Sequence, residues 1–455
     1  MSEQGTIKTA ERKVHVPATS WWMVAVLFSL YVFSWLDRLI LSMLVGPIKA
    51  DLILSDFQVG LLLGPAFALF YAIFGIPLGW AVDRYARRWL IFGGVSLWAC
   101  STVVSGFAQN FPQLMFARVC VGIGEAALLP AAYSLLADEF PRERLTTATS
   151  IFQMAGKVGS AAAFGIGGVA LTFAASLHGD GLPFVSNAAP WQIVFWLVGL
   201  PGLFLAFLVF TFREPPRRDL ASDSLAADDA KGGAAFSFIK AHWQLALIVV
   251  ATFSCLAICG YTLTSWVPTY ISRHFHWEPL QYGPALSLMN LIGAASLVAN
   301  GRLVDHFFSR GMRDVHLRFY SWVMLATAPF FVMLFLTENV YLFLACYAIS
   351  QFVTVPFLVY VSAIISLLAP NAARGQLIAM FLFVATILGL GAGPTIVGAL
   401  TDFVFRSEDQ LGLSLMVTVL GFFALALIGM RVGLLHLSDA IQRAEVRAGN
   451  PESGT

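Results

Sequence analysis

Long apolar runs separated by short polar breaks extend along the whole chain. Many reach the length of about 20 residues that an α-helix needs to cross the roughly 30 Å hydrocarbon core of a membrane. We predict twelve such spans. Those of the first half lie near residues 21–45, 57–82, 89–108, 111–138, 148–174 and 190–212. Those of the second half lie near residues 243–271, 280–304, 318–336, 339–369, 374–402 and 410–435. The pattern predicts an all-α membrane protein.

One long polar stretch interrupts this pattern in the middle of the chain, over residues 213–242. Its content of Pro, Asp, Ala and Gly is typical of a linker. We therefore predict a first six-helix bundle over residues 21–212 and a second over residues 243–435. Terminal tails are expected over residues 1–20 and 436–455.

The two predicted bundles share a sequence pattern. Gln58 and Asp83 lie near the two ends of the second span, and Gln281 and Asp305 lie at matching places in the eighth span, 223 and 222 residues later. A nearly constant offset indicates a duplicated six-helix unit. Two pseudo-symmetric bundles are therefore expected.

The composition supports a membrane protein and argues against an enzyme. Hydrophobic residues make up 58% of the chain and charged residues 12%, whereas soluble domains carry about 25% charged residues. The net charge is +1 and there is no basic tract, so a nucleic-acid partner is not expected. The chain has no phosphate-binding loop, zinc motif or nucleophile elbow, so we expect no enzymatic activity, cofactor or metal.

The distribution of Lys and Arg predicts the orientation. Of the 27 such residues, 21 fall on one side of the membrane, which we call the basic side. The opposite side carries only Lys49, Arg273 and Arg406. By the positive-inside rule, the basic side with both termini and the linker is cytoplasmic. The short loops favour a bacterial inner membrane.

Two of the predicted spans carry charges near the middle of the membrane. Asp37 and Arg38 lie in the first span, and Arg118 and Glu125 lie in the fourth. A charge at this depth costs about 2.5–3.5 kcal/mol, so it persists only with a partner and usually marks a functional site. Arg118 and Glu125 are separated by two helical turns, or about 10 Å, on one face. Gly122 between them leaves room for a neighbouring helix or a ligand.

These charges predict a switch. Asp37 can pair with Arg118 in one state and release it in another, and a change of arginine partner would change the protonation of Asp37 or Glu125. No histidine lies in the middle of a span, so proton coupling would use carboxylates. The alternative is a static ion-pair network between the two helices. Arg38 adjoins Asp37 and is expected to point to a different face, so we give it a smaller role as a possible substrate contact.

The run from Gly79 to Arg88 has the form G-x-x-x-D-R-x-x-R-R. It resembles the signature between the second and third helices of the major facilitator superfamily. A weaker copy runs from Gly301 to Arg310, with His306 in place of the usual arginine. The resemblance implies the major facilitator fold, in which two six-helix bundles alternate access to a central cavity.

Several stretches also resemble the Spinster family of lipid and sphingolipid transporters within that superfamily. They are Phe33–Arg38, Arg118–Ala126, Arg213–Pro216 and Gly389–Pro394. The resemblance implies that transport is coupled to protons.

The resemblance also favours a conformational latch at the basic side. In this hypothesis, Asp83 meets the positive end of a neighbouring helix and the arginines pair with acids of the facing half, for which Asp138 and Glu139 are candidates. The alternative is that these residues only anchor the topology. The predicted latch comprises Gly79, Asp83, Arg84, Arg87, Arg88, Asp138, Gly301 and Asp305.

The remaining candidates for solute contact are less distinctive. Lys157 in the fifth span either contacts an anionic head group or extends to the membrane surface. The second half offers uncharged candidates, each of which also suits simple helix packing. They are Tyr261, Thr264, Trp266, Tyr270, Asn290, Gln351, Thr354, Tyr360 and Ser362. A charged first half that faces an aromatic, apolar second half suits an amphipathic solute.

The sequence therefore predicts a proton-coupled secondary active transporter of a lysolipid or sphingolipid type of solute. Asp37, Arg118 and Glu125 are predicted to couple protons and bind the head group. One alternative is an organic-anion/proton symporter in which Arg38, Arg118 and Lys157 bind a carboxylate. Others are a multidrug exporter and a non-transporting receptor or scaffold. We expect a monomer surrounded by membrane lipids.

Overall fold

The computed structural model describes residues 16–177, 187–217, 233–310, 312, 315–369 and 371–449. Within them, twelve helices are long and apolar enough to cross a membrane. The first six are α1 (Ala18–Met43), α2 (Asp56–Arg84), α3 (Arg87–Ser105), α4 (Phe111–Glu139), α5 (Glu143–Leu177) and α6 (Pro190–Thr211). The second six are α7 (Trp243–His274), α8 (Pro279–Ser309), α9 (Val315–Leu336), α10 (Val340–Ser366), α11 (Ala373–Phe405) and α12 (Glu408–Leu435). The predicted all-α fold with twelve spans is confirmed.

Each half packs mainly within itself. In the first half α1 lies against α5, and α4 lies against α2 and α3. In the second half α7 lies against α12, and α10 lies against α8 and α9. The main contacts between the halves pair α5 with α8 and α2 with α11. These two seams set how closely the bundles approach each other.

The segments outside the two bundles are only partly described. A short helix, Gly233–Ala241, lies within the predicted linker, and the linker residues 218–232 fall outside the described residues. The last helix runs from Leu411 to Gly449, so helical structure continues into the predicted tail of residues 436–455. Residues 1–15 of the predicted N-terminal tail also fall outside the described residues.

Helix α4 is interrupted in the middle of the first bundle. It consists of the segments Phe111–Glu125 and Leu128–Glu139. Pro130 explains the interruption, because it has no N–H for the carbonyl of Ala126 and its ring would clash with that carbonyl. The break leaves Glu125 as the last residue of the first segment.

Helix α10 is interrupted in the same way in the second bundle. Its segments are Val340–Thr354 and Phe357–Leu368, and Pro356 lies at the break. The ring of Pro356 displaces the carbonyl of Phe352 from the helical ladder. Asn300 on α8 donates its side-chain N–H to that carbonyl at 3.5 Å. The neutral side-chain amide of Asn300 thus provides a long hydrogen bond to a carbonyl that the break leaves without its helical partner.

The seams between the halves are made by glycines near the opposite side. A methyl group at Gly168 on α5 would overlap the carbonyl oxygen of Pro279 at the start of α8. A methyl group at Gly60 on α2 would lie 2.7 Å from the carbonyl oxygen of Pro394 on α11. Small residues allow helix backbones to approach this closely. The two halves are therefore in backbone-to-backbone contact at this end.

We predict that Gly168→Ala destabilises the protein, because its methyl group meets a backbone carbonyl that cannot rotate away. The free energy of unfolding in detergent should fall by about 1–3 kcal/mol. Gly93→Ala on α3 is the matched control, because no described heavy atom lies within 4 Å of the added methyl group. The control should be stabilised by about 0.5–1 kcal/mol. Equal effects of the two substitutions would contradict the tight seam.

Candidate functional site

The four mid-membrane charges of α1 and α4 come together in the first bundle. We call Asp37, Arg38, Arg118 and Glu125 the charge cluster. Asp37, Arg118 and Glu125 are each 2% exposed, and the side chain of Arg38 is 11% exposed. Two carboxylates and two guanidinium groups make the cluster neutral in total. This balance allows charge to persist where lipid would exclude it.

Glu125 and Arg38 form a direct ion pair. The Nη2 atom of Arg38 lies 2.5 Å from Oε2 of Glu125. The hydroxyl group of Ser34, one helical turn before Arg38, donates to the same oxygen at 2.7 Å. Charged hydrogen bonds of this kind are stronger than neutral ones. Helix α1 therefore holds the Glu125 carboxylate from two positions on one face.

Aromatic rings surround the guanidinium group of Arg38. Its Cζ atom lies 4.3 Å from the ring centre of Phe67, 4.8 Å from that of Trp35 and 5.4 Å from that of Tyr71. A cation over an aromatic face is attracted by the ring quadrupole, more strongly where water is excluded. Helices α1 and α2 thus fix the position of Arg38.

Asp37 and Arg38 point to different faces of α1, as predicted, and yet both join the charge cluster. The two residues do face different neighbours, since adjacent helical positions differ by about 100°. Asp37 faces α3, where it accepts a hydrogen bond from Thr102 at 2.8 Å. Arg38 faces α2, and its long side chain still reaches Glu125 on α4. Both residues therefore belong to one cluster.

Several polar atoms of the charge cluster have no hydrogen-bond partner in the part of the chain that the structure describes. Among the described residues, Oδ2 of Asp37, Oε1 of Glu125, and Nε and Nη1 of Arg118 have no hydrogen-bond partner. Asp37 and Arg118 attract each other across the cluster, and within the described residues they form no ion pair closer than 4 Å. A buried polar atom without a partner costs about 1–3 kcal/mol. The cluster can therefore gain by rearranging.

The gap between Arg118 and Glu125 is filled by a helix. A methyl group at Gly122 would lie 2.6 Å from the carbonyl oxygen of Phe67 on α2. Of the two occupants considered for this face, the structure shows the neighbouring helix. A ligand would have to approach the charges from another direction.

Among the second-half candidates, Tyr261 on α7 packs against the core of the first half that contains Phe67, the ring that lies against Arg38. The other candidates engage partners in their own half. Trp266 donates to the carbonyl of Pro394 at 3.0 Å, Asn290 to that of Leu286 at 3.0 Å, and Tyr360 to the amide oxygen of Asn300 at 2.8 Å. Thr264 donates to the carbonyl of Gly260, Thr354 donates to the amide oxygen of Gln351, and Tyr270 packs on Phe343. The backbone carbonyl of Ser362 accepts a hydrogen bond from Ser366. The structure therefore leaves only one of these candidates at the cluster.

Lys157 is partly exposed on α5. No contact joins it to the charge cluster within the described part of the chain. Its neighbour Gly156 lies against the indole of Trp35. The structure therefore does not bring Lys157 to the four charges.

The arginines of the predicted latch pair within the first half. Arg87, 1% exposed, forms ion pairs with Asp138 at the end of α4 and with Glu214 after α6. The candidate partner Asp138 does pair with Arg87, but the assignment of such partners to the facing half was wrong, because α4 and α6 pack against α3 in the same bundle. Arg88 also faces Glu214, at 3.8 Å. The carboxylate of Glu214 stabilises the positive N-terminus of α3.

The rest of the predicted latch faces outward at the basic side. Asp83 and Asp305 are exposed, and Arg84 stacks on the ring of Trp80 at 4.0 Å. No heavy atom of the described chain lies within 4 Å of a methyl group placed at Gly79 or Gly301. These residues do not join the halves in this structure.

The connection between the halves lies instead at the opposite side, around Asp56. This residue is fully buried and accepts from both Nη atoms of Arg273 on α7, each at 2.8 Å. Lys49 adds a third contact at 2.6 Å. Lys49 also lies 2.9 Å from Glu408 at the start of α12. We call Lys49, Asp56, Arg273, Asp402 and Glu408 the opposite-side lock.

Asp402 completes the lock by capping a helix of the other half. Its two carboxylate oxygens accept the backbone N–H groups of Asp56 at 3.3 Å and Phe57 at 2.6 Å. A carboxylate at the start of α2 is favoured by the unpaired N–H groups there. The sequence interpretation missed this lock. The sequence contained one indication of the lock: Lys49 and Arg273 are two of the few cations that lie on the opposite side.

Comparison with known proteins adds three findings. A family model described as Major Facilitator Superfamily matches residues 27–315. An MFS-type efflux pump of Mycolicibacterium smegmatis is 30% identical over 419 residues, which are 90% of each chain. The protein spinster of Drosophila melanogaster is 26% identical over 58% of this chain and 41% of its own length.

A solved structure shares the fold. It is a bacterial homolog of the human lysosomal transporter Spinster in an inward-facing, unoccupied conformation, with a TM-score of 0.78 and 22% identity. The match covers 94% of this chain and 98% of that one.

We predict that Arg38 and Glu125 are energetically coupled. Arg38→Gln leaves a buried carboxylate without its cation and should lower the free energy of unfolding by about 3–5 kcal/mol. The double variant with Glu125→Gln should lose less stability than the sum of the two single losses, with a coupling energy of about 1–3 kcal/mol. The measurement is a double-mutant cycle by denaturant unfolding in detergent.

The control for this cycle is Arg84→Gln, because Arg84 stacks on an exposed ring outside the cluster. Combined with Glu125→Gln, it should show additive effects. Additive effects of Arg38→Gln and Glu125→Gln would show that the pair is not coupled.

Proposed function

The chain belongs to the major facilitator superfamily, and we propose that it is a proton-coupled secondary active transporter of an amphipathic solute of the lysolipid or sphingolipid type. It works by alternating access as a monomer, without a cofactor, and the proton gradient is its driving force. The charge bias supports cytoplasmic termini, and the short loops support a bacterial inner membrane.

The charge cluster is the observation that carries the proposal. Arg118 has two N–H nitrogens without an acceptor, and each carboxylate has one oxygen without a donor. A shift of α4 along α1 would let Arg118 take Asp37 or Glu125 as its partner. A buried carboxylate that loses its guanidinium partner favours its protonated form. Exchange of partners would then move a proton with each conformational change.

The contrast between the halves supports an amphipathic solute. The ionised groups of the cluster all belong to α1 and α4, and α7 brings the phenol of Tyr261 towards them. The polar candidates on α8 and α10 use their hydrogen bonds within their own half. A solute with a charged head and an apolar tail would match both surfaces, with its head at Arg118 and Glu125.

Two other solute classes have specific support. The similarity to an MFS-type efflux pump over 90% of the chain favours the multidrug exporter. The two unbonded nitrogens of Arg118 favour an organic anion, since a guanidinium group binds a carboxylate at two points. In the anion alternative Arg38 would have to release Glu125 first, which counts against it.

The opposite-side lock supports alternating access. Its ion pairs and the cap by Asp402 join α2 of the first half to α7 and α11 of the second. Opening of this end requires that these contacts break together. The glycine seams beside them have no side chains to hold the helices apart.

We predict that an imposed pH gradient drives lysolipid flux in proteoliposomes, and that sugar acids and cationic dyes are moved more slowly. Glu125→Gln should abolish the response to the gradient, because the side chain can no longer bind and release a proton. Flux is followed with labelled solutes in matched vesicles.

The control is Glu143→Gln, a carboxylate that is exposed at the start of α5 and outside the cluster. It should transport like the unmodified protein. A fully active Glu125→Gln variant would remove the coupling role of Glu125. Flux of every solute without any response to the gradient would refute proton coupling altogether.

We predict that Asp56→Asn shifts the protein towards a form that is open at the opposite side. The substitution removes the charge that Lys49 and Arg273 share. Spin labels at the exposed positions Ile53 and Arg406 should report a longer distance between the halves by pulsed electron paramagnetic resonance. Asp409→Asn, an exposed acid on the same side, should leave the distance unchanged. The same distances in both variants would show that Asp56 does not hold this end closed.

A further inference from the structure

An apolar groove lies on the outer surface of the second half, away from the charge cluster. It is enclosed by the short helix Gly233–Ala241 together with α7, α10 and α11, and has a volume of about 300 Å³. Its lining is apolar apart from His242 at one end. The lining includes Leu247, Val250, Ile364, Met380 and Phe381. The transport proposal does not use this groove.

The groove opens towards the lipid. Leu247 on α7 and Met380 on α11 are 60% and 50% exposed on helices that cross the membrane. Exposed apolar side chains at this depth face acyl chains, because water is absent there. The occupant of the groove must therefore be an apolar group that is available within the bilayer.

The short helix Gly233–Ala241 forms the wall of the groove at the basic side. Its apolar residues Phe238 and Ile239 pack with Leu377, which lies on α11, and all three residues also line the groove. A short helix with one apolar face lies in the membrane interface, parallel to the surface. The groove thus begins at head-group depth and continues into the apolar core.

Basic side chains belong to the segments at this end of the groove. His242 is part of the lining, and Lys240 lies two residues before it and is exposed. Arg374 lies one turn before Leu377 on α11, and its Nε atom donates to the carbonyl of Ala369 at 2.9 Å. The sequence of the short helix contains no acidic residue. The polar end of the groove therefore suits an anionic group.

We propose that this groove is a binding site for an anionic phospholipid, with one acyl chain along α7 and α11 and the head group at Lys240, His242 and Arg374. The linker of this chain is a poor alternative occupant, since residues 219–230 contain four aspartates. The inference does not depend on which solute the protein transports.

The test uses photoactivatable lipids with the full chain in nanodiscs. A phosphatidylglycerol with a diazirine in its acyl chain should label residues 243–250 and 377–384 more strongly than the lipid-facing surface around Phe204 on α6, which is 73% exposed. The matched phosphatidylcholine probe should label the groove less, because each basic residue near an anionic head group changes the affinity about fivefold. Excess unlabelled phosphatidylglycerol should remove the difference.

Two variants separate the groove from the general surface. Ala246→Trp fills the groove and should reduce its labelling to the level around Phe204. Lys240→Glu reverses one charge at the rim and should reduce the preference for phosphatidylglycerol about fivefold or more. Arg302→Glu is the control, because it changes an exposed cation on α8, outside the groove lining.

Equal labelling of the groove and the α6 surface would overturn the proposal, as would equal labelling by both probes. A cross-link from the groove to a second copy of the chain, with no lipid adduct, would also overturn it. If Ala246→Trp does not fold, Lys240→Glu still decides, because that residue lies on the surface. Unchanged head-group preference in Lys240→Glu would refute the predicted rim.

Discussion

The ion pair between Glu125 and Arg38 is the interaction on which the arrangement of the first half depends. A buried carboxylate that lacks a partner costs several kcal/mol, so these two groups must remain together while both are charged. Ser34 on α1 fixes the carboxylate, and the rings of Phe67 and Tyr71 on α2 fix the guanidinium group. The pair therefore ties α1, α2 and α4 to one another. A relative shift of these helices must therefore exchange the ionic partners of the cluster.

Proline places polar chemistry at the centre of both halves, but the chemistry differs. Pro130 ends the first segment of α4 just after Glu125, and Pro356 interrupts α10 at the corresponding place in the second half. Around the first break the polar groups are ions. Near the second they are the amide of Asn300 and the hydroxyl of Tyr360, which bond to each other at 2.8 Å. The two halves thus share a helix that is broken at a proline, but the charged groups near the break belong to the first half. This asymmetry is what supports the proposal of an amphipathic solute.

The sequence predicted what depends on hydropathy and helical spacing, and missed what depends on side-chain reach and distant pairing. The twelve helices follow from apolar length, and the meeting of α1 with α4 follows from the cost of unpaired charge. The role of Arg38 was missed because the direction of a Cβ atom says little about where a long guanidinium side chain ends. Asp56 and Arg273 are 217 residues apart, and nothing local in the sequence links them. The partners of Arg87 were assigned to the wrong half because spacing along the chain does not show which bundle a helix end faces.

The positions of the lock and the cluster constrain how they can act on each other. The lock joins the two halves at one end of the molecule, whereas all ion pairs of the cluster lie within the first half. A proton or solute that binds equally well to both conformations does not shift the equilibrium between them. Coupling therefore requires a contact of the cluster that differs between the two conformations. The pair of Arg38 and Glu125 alone cannot supply it, since both belong to one bundle. Tyr261 on α7 can, because it packs against the first-half core that contains Phe67, and separation of the halves would remove that packing. The position of the second half would then alter the surroundings of Arg38 through Phe67, and through Arg38 its pairing with Glu125.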